Sequence, residues 1–179
     1  MMICPYLRAA VLAIGCVCFV SATVHTQQPR SLYDRYTEPI QIFKTGLGTF
    51  TKPMSSASKE AQSFFDQGFQ MMYSFAKPEA VRSFREAWKR DPDCAICYWG
   101  EAWAWGSYLN APMNAMEAPH AYAAAQKALS LKHRATAKER ALIDAMTVRY
   151  VEKFDATKRV EQDRAYADAM QARASDRPT

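Results

Sequence analysis

Histidine and cysteine are scarce, at 3 and 5 residues in a chain of 179. His25, His120 and His133 stand far apart, and no second cysteine pair has ligand spacing, so the chain alone does not suggest a four-ligand zinc site. Glycine is also sparse, with 6 residues. The run Gly46-Leu47-Gly48-Thr49-Phe50-Thr51-Lys52 lacks the glycine before lysine and the preceding apolar strand that a phosphate loop needs. Neither G-x-S-x-G nor H-E-x-x-H occurs, so no catalytic constellation stands out. Charge of one sign is not in excess: Lys+Arg number 23, Asp+Glu 18, and the net charge is +5. The longest basic cluster is Lys132-His133-Arg134, which leaves no electrostatic footprint for nucleic acid. Long apolar runs are missing too. Ala9 to Val20 spans about a dozen residues, short of the roughly 20 that cross a bilayer.

What is present starts with that short run. Arg8 flanks it, Val20-Ser21-Ala22 offers small residues before a cut, and Gln27-Gln28-Pro29-Arg30 is polar. Residues 1–22 therefore read as a signal peptide cleaved after Ala22, giving an exported product, periplasmic or secreted. A signal anchor is the alternative, and only that would hold the chain at a membrane. Cleavage removes Cys4, Cys16 and Cys18 and leaves Cys94 and Cys97 for an oxidising compartment. Residues 23–58, turn-rich from Ser31 onward, read as an extended leader that packs on the first helices.

From Ala61 the spacing turns helical. Phe64, Phe65, Gly68, Phe69, Met72 and Phe75 recur at three and four residues. Pro78 suits the first turn of a second helix, where its missing N–H costs nothing. Ala80, Val81, Phe84, Ala87 and Trp88 continue to the break at Asp91-Pro92-Asp93. Two antiparallel helices follow from this pattern. Later, Thr136-Ala137-Lys138-Glu139 forms a capping box ahead of Leu142, Ile143, Met146 and Tyr150. The pattern is all-α, the length of 179 residues suits one domain, and the apolar content of 49% is enough to build a core.

The hairpin carries a signature of about 34 residues, W-x2-L-G-x2-Y followed by A-x3-F and a closing proline. Phe64 fills the Trp slot, Gly68 the Gly slot and Met71 the Tyr slot. Ala80 and Phe84 match A-x3-F, and Pro92 closes the unit; Gln67 departs from the Leu slot. One period later Tyr98, Ala102 and Trp105 repeat the first slots, with Glu101 departing at Leu. Ala121, Ala125 and Ala128 restore the second-helix spacing after a long connection. Ala165, Ala169 and Ala172 mark a third partner helix. Residues 59–176 thus resemble a tetratricopeptide-repeat array, with repeats at about 61–94, 95–133 and 135–176. The chain looks most like exported bacterial members with a D-P-D-C-x-x-C-Y-W-G junction. The resemblance implies an α-solenoid of stacked helix-turn-helix units. The sequence stops at Ser175-Asp176-Arg177-Pro178-Thr179, where a further helix would begin, so the array reads as incomplete.

Chemistry centres on Cys94 and Cys97. With Asp93 as helix cap they sit in an opening turn, where thiol pKa values fall. A structural disulfide pinning the junction and a redox dithiol both remain open. Haem attachment needs histidine where Tyr98 stands. Glu86, Asp144 and Asp168 read as solvated charges, and His120 and His133 as surface or capping residues. The resemblance places the first helix of each repeat on a concave groove. That assigns partner binding to Phe65, Phe69, Met72, Tyr73, Trp99 and Trp103, an apolar surface for an extended hydrophobic or Pro-rich peptide. The competing reading buries these rings under the leader or later helices. The connection Gly106 to Asn114 is either a binding edge or a rigid turn. The expected function is a non-enzymatic exported scaffold for a protein or peptide partner, with no cofactor and no nucleic acid. The alternatives are a thiol-redox protein using Cys94 and Cys97, and the N-terminal repeat region of a larger enzyme.

Overall fold

A computed structural model describes residues 34–109 and 111–175. The segment 1–22 expected to be a signal peptide, the residues that follow it up to 33, Asn110 and residues 176–179 lie outside the described residues. The fold is all-α: α1 (Asp34–Thr37), α2 (Lys59–Tyr73), α3 (Lys77–Arg90), α4 (Ala95–Trp105), α5 (Ala118–Ser130), α6 (Ala137–Arg149) and α7 (Arg159–Ser175), with short 3-10 turns at Lys132–Arg134 and Ala156–Lys158. None of the described helices is long and apolar enough to cross a membrane.

Local chemistry sets the helix ends. The Ser58 hydroxyl caps α2 by accepting from the Ala61 N–H at 3.1 Å. The α2 terminus closes through Ala76 N–H to Met71 C=O at 3.0 Å, with Phe75 left-handed at φ 58°. Pro78 lies in the first turn of α3, and Pro119 in that of α5. The capping box forms at α6: Glu139 N–H donates to Thr136 Oγ1, and the Glu139 carboxylate accepts from Thr136 N–H.

Each helix packs on its chain neighbour, α2 on α3, α4 on α5 and α6 on α7, while α3 meets α4 and α5 meets α6. Contacts of α2 with α4 and of α4 with α6 bring α2, α4 and α6 together in one layer, and α3, α5 and α7 each pack against members of it. Helices α2, α3 and α4 meet at Phe84, which is fully buried. A Cβ on Gly68 would stand 3.0 Å from its ring and a Cβ on Gly100 only 2.4 Å. One aromatic ring is therefore clamped between two helix backbones, and only glycine permits the approach. The slot residues Ala80, Ala102, Ala121, Ala125 and Ala128 are buried as well.

The two departures from the Leu slot are polar hubs. Gln67, 1% exposed, donates to Gln41 C=O and Ser83 Oγ and accepts from Phe43 N–H. Glu101, 6% exposed, accepts from Arg85, from Trp88 Nε1 at 2.6 Å and from Trp105 Nε1 at 3.2 Å. A buried carboxylate that gathers three donors is held rather than stranded.

Several local expectations are corrected. Asp93 does not cap α4. Its N–H turns back to Asp91 Oδ1, its carboxylate pairs with Arg134 at 3.0 Å, and Cys94 takes the cap position by accepting from Cys97 N–H. Glu86 is buried rather than solvated, because Lys89 and Arg90 fold onto it. These two cations hold its carboxyl below the usual range against the opposing effect of burial. His120 belongs to α5 and stacks on Trp105 at 4.8 Å. In α7, Ala165 and Ala172 are exposed, and the helix instead leans on α6 through Tyr166 and Asp163, which meet Arg149.

Candidate binding groove

The described leader does pack on the first helices, and it does so by gripping α2. Glu38 and Pro39 carbonyls accept from Arg82 of α3, and Gln41 and Phe43 hold Gln67. Gly46 turns the chain at φ 88°. Residues 50–54 then run back along α2 as an extended strap. Gln62, Asp66 and Gln70, at i, i+4 and i+8, read its backbone. Gln62 accepts from Met54 N–H and donates to Lys52 C=O, Asp66 accepts from Lys52 N–H at 2.8 Å, and Gln70 donates to Phe50 C=O. Ser55 N–H continues to Glu139 of α6, and the Ser56 hydroxyl to Asp91. Lys52, Met54, Ser56 and Ser58 are partly buried while Thr51, Pro53, Ser55 and Ala57 are exposed, the period-two alternation of an extended segment.

The strap covers the cysteines. The Cys94 and Cys97 sulfurs lie 2.04 Å apart, a bonded pair. Both residues are buried, and Met54 Sδ sits 3.8 Å from each sulfur. A cavity of about 440 Å³ opens beside it, floored by Phe65, Ile96 and Leu142 and rimmed by Lys52, Lys138 and Glu139. Burial, and next the neighbouring Lys138, push the Lys52 ammonium below the usual lysine range, and Glu139 opposes them.

The six groove residues divide. Phe65, Met72 and Trp99 are buried at 0%, 7% and 5% exposure. Phe65 packs edge-on against Phe84 at 5.4 Å, and Trp99 stacks on Trp103 at 5.6 Å. Phe69 and Trp103 are half-buried, and Tyr73 is 71% exposed. These three form a ring cluster: Phe69 to Trp103 at 5.1 Å, Phe69 to Tyr73 at 5.5 Å and Tyr73 to Trp103 at 6.2 Å.

Sequence spacing missed four members of this surface. Phe50 of the strap stacks on Phe69 at 5.6 Å. Phe75 packs on Tyr108 at 5.7 Å, and Leu109 is 90% exposed beside it. The strap residue could not be placed without its long-range hydrogen bonds. Tyr108 and Leu109 belong to the long connection, whose chemistry alone left edge and turn equally open. Two clefts result. One, about 450 Å³, lies between Phe50, Phe69, Gln70, Tyr73 and Ser74; the other, about 310 Å³, lies between Tyr73, Trp103, Phe75, Tyr108 and Leu109. Tyr73 is their shared wall, and no Asp, Glu, Lys, Arg or His lines either. The Tyr108 hydroxyl donates to Met72 C=O at 2.9 Å, and burial pushes its pKa up to about 12.

No family model, curated protein or solved structure matches the chain.

Proposed function

We propose that this chain is an exported repeat scaffold of the tetratricopeptide type that binds an extended protein or peptide segment on the aromatic surface of α2 and α4. The observation that carries this reading is the contiguous patch in which exposed Phe50, Tyr73, Phe75 and Leu109 surround the half-buried rings of Phe69 and Trp103. Large apolar residues clustered in solvent mark interaction surfaces more often than single exposed ones do. Aromatic walls without charge supply contact area at low side-chain entropy cost. Phe65, Met72 and Trp99 act beneath it as support for the rings that meet the partner.

The redox alternative is disfavoured by access. Thiol exchange requires an attacking thiolate to reach a sulfur in line, and here both sulfurs are buried under Met54. We read the Cys94–Cys97 bond as a staple of the junction between α3 and α4.

The test is selection of binders from a random peptide library on the immobilised chain, followed by rebinding to Tyr73→Ala/Trp103→Ala. The reading expects the selected peptides to lose binding while circular dichroism stays helical. Undiminished binding to the folded double variant would remove the groove from the account.

A further inference from the structure

We infer that the two aromatic clefts take a proline-rich segment in the polyproline II conformation. This rests on the peptide-groove reading above and specifies the chemistry of its ligand.

Continuity with an interface the chain already makes comes first. The α2 face that carries Gln62, Asp66 and Gln70 holds residues 50–54 extended, and the clefts begin where Phe50 ends. An occupant that prolongs this interface is a second extended segment lying on the same helix. Charge comes next. Neither cleft is lined by an Asp, Glu, Lys, Arg or His, and the Lys52 ammonium stands over the Phe69 ring at 5.6 Å, so the matching stretch carries little charge.

Hydrogen bonding narrows the class further. Around the clefts the Ser74 hydroxyl donates to Gln70 C=O, the Tyr108 hydroxyl to Met72 C=O and the Gln70 amide N–H to Phe50 C=O, while Ser107 Oγ accepts from Met113 N–H and Gln70 Oε1 accepts from no described residue. The Tyr73 hydroxyl and the Trp103 indole N–H have no hydrogen-bond partner among the described residues, and the indole can only donate. Polyproline II leaves its carbonyls unpaired by the segment itself, and proline brings no N–H that would need an acceptor. Two donors on an aromatic ridge suit such a strand. Finally, the clefts share the Tyr73 ring as one wall. A helix with three residues per turn presents successive proline rings along one side, one for each cleft. Its preformed backbone also lowers the ordering cost that a flexible hydrophobic peptide would meet.

The full chain is titrated with blocked ten-residue peptides: one built of Pro-Pro-Ala units, and one of alternating Thr and Val that favours a β-strand. Tryptophan fluorescence reads both. The proline peptide is expected to bind, Tyr73→Ser to weaken it about tenfold or more, and Tyr73→Phe, which removes only the hydroxyl, to weaken it by about half that factor on a logarithmic scale. Tighter binding of the Thr-Val peptide, or no binding of the proline peptide, overturns the inference. The groove reading itself then stands or falls separately on whether library-selected peptides depend on Tyr73 and Trp103.

Discussion

At the scale of single residues, the fold turns on contacts that tolerate no extra atom. Gly100 lies inside α4, where alanine would ordinarily gain roughly 1 kcal/mol in helix propensity. Its added Cβ would fall 2.4 Å from the Phe84 ring, which is enclosed on both sides. Overpacking of this kind costs about 1–3 kcal/mol, so the clash outweighs the gain. Gly100→Ala is expected to lower the urea midpoint, and a rise would show that Phe84 can move aside. Phe75 tells the opposite story. A bulky side chain held at positive φ is strained, and such strain gathers at working sites. Phe75→Gly relieves the backbone while losing the ring contact with Tyr108, so stability should change by less than about 1 kcal/mol. Selected ligands should nevertheless bind more weakly. A large loss of stability would make Phe75 a packing residue instead. The slot-filling residues Phe64, Gly68, Ala80 and Phe84 were legible because size and spacing fix their roles. Gln67 and Glu101 were legible only as exceptions. Their purpose depends on partners such as Gln41, Arg85 and Trp88, which no helical periodicity brings to mind.

At the scale of elements, the helices were readable from periodicity, Pro78 and the Thr136 capping box, though not from Asp93, and the leader was readable as extended but not in its path. Its extended path is set by side chains of α2 reading a backbone that has no pattern of its own. The same elements protect the disulfide. Breaking the strap at Asp66→Ala/Gln62→Ala removes the bonds that hold Lys52 and Met54. The account expects the native disulfide then to be reduced by a phosphine faster than in the parent chain, with helix content retained. Equal rates would mean that Met54 is not the barrier. The α7 alanines mark the limit of pattern reading. Ala165 and Ala172 keep the spacing of a repeat helix yet face solvent. The contact instead runs through Tyr166, Asp163 and the buried Arg149 and Arg159.

At the scale of the whole molecule, the buried Tyr150 and the half-buried Tyr108 tie elements around α2, α4 and α6 together and set an alkaline limit. Tyr150 donates its hydroxyl to Ala102 C=O at 2.9 Å, joining the α6 terminus to α4, and burial pushes its pKa up to about 12. Tyr108 is shifted up to about 12 as well. Above pH 10 the unfolded chain releases these protons while the folded chain keeps them. Stability is therefore full below pH 10 and falls as pH rises toward 12. Denaturant midpoints measured across that window should decline, less steeply in Tyr108→Phe.

The central claim is that the partner meets the rings at the C-terminal ends of α2 and α4. The chain has 4 tryptophans, Trp88, Trp99, Trp103 and Trp105, each with its own indole N–H resonance. A titration of the ¹⁵N-labelled protein with a library-selected peptide tests the claim most directly. The account predicts that the Trp103 indole signal moves furthest and saturates with binding, while Trp88, stacked on Tyr98 and outside the lining of both clefts, stays in place. A peptide that binds and shifts Trp88 while leaving Trp103 untouched would contradict it.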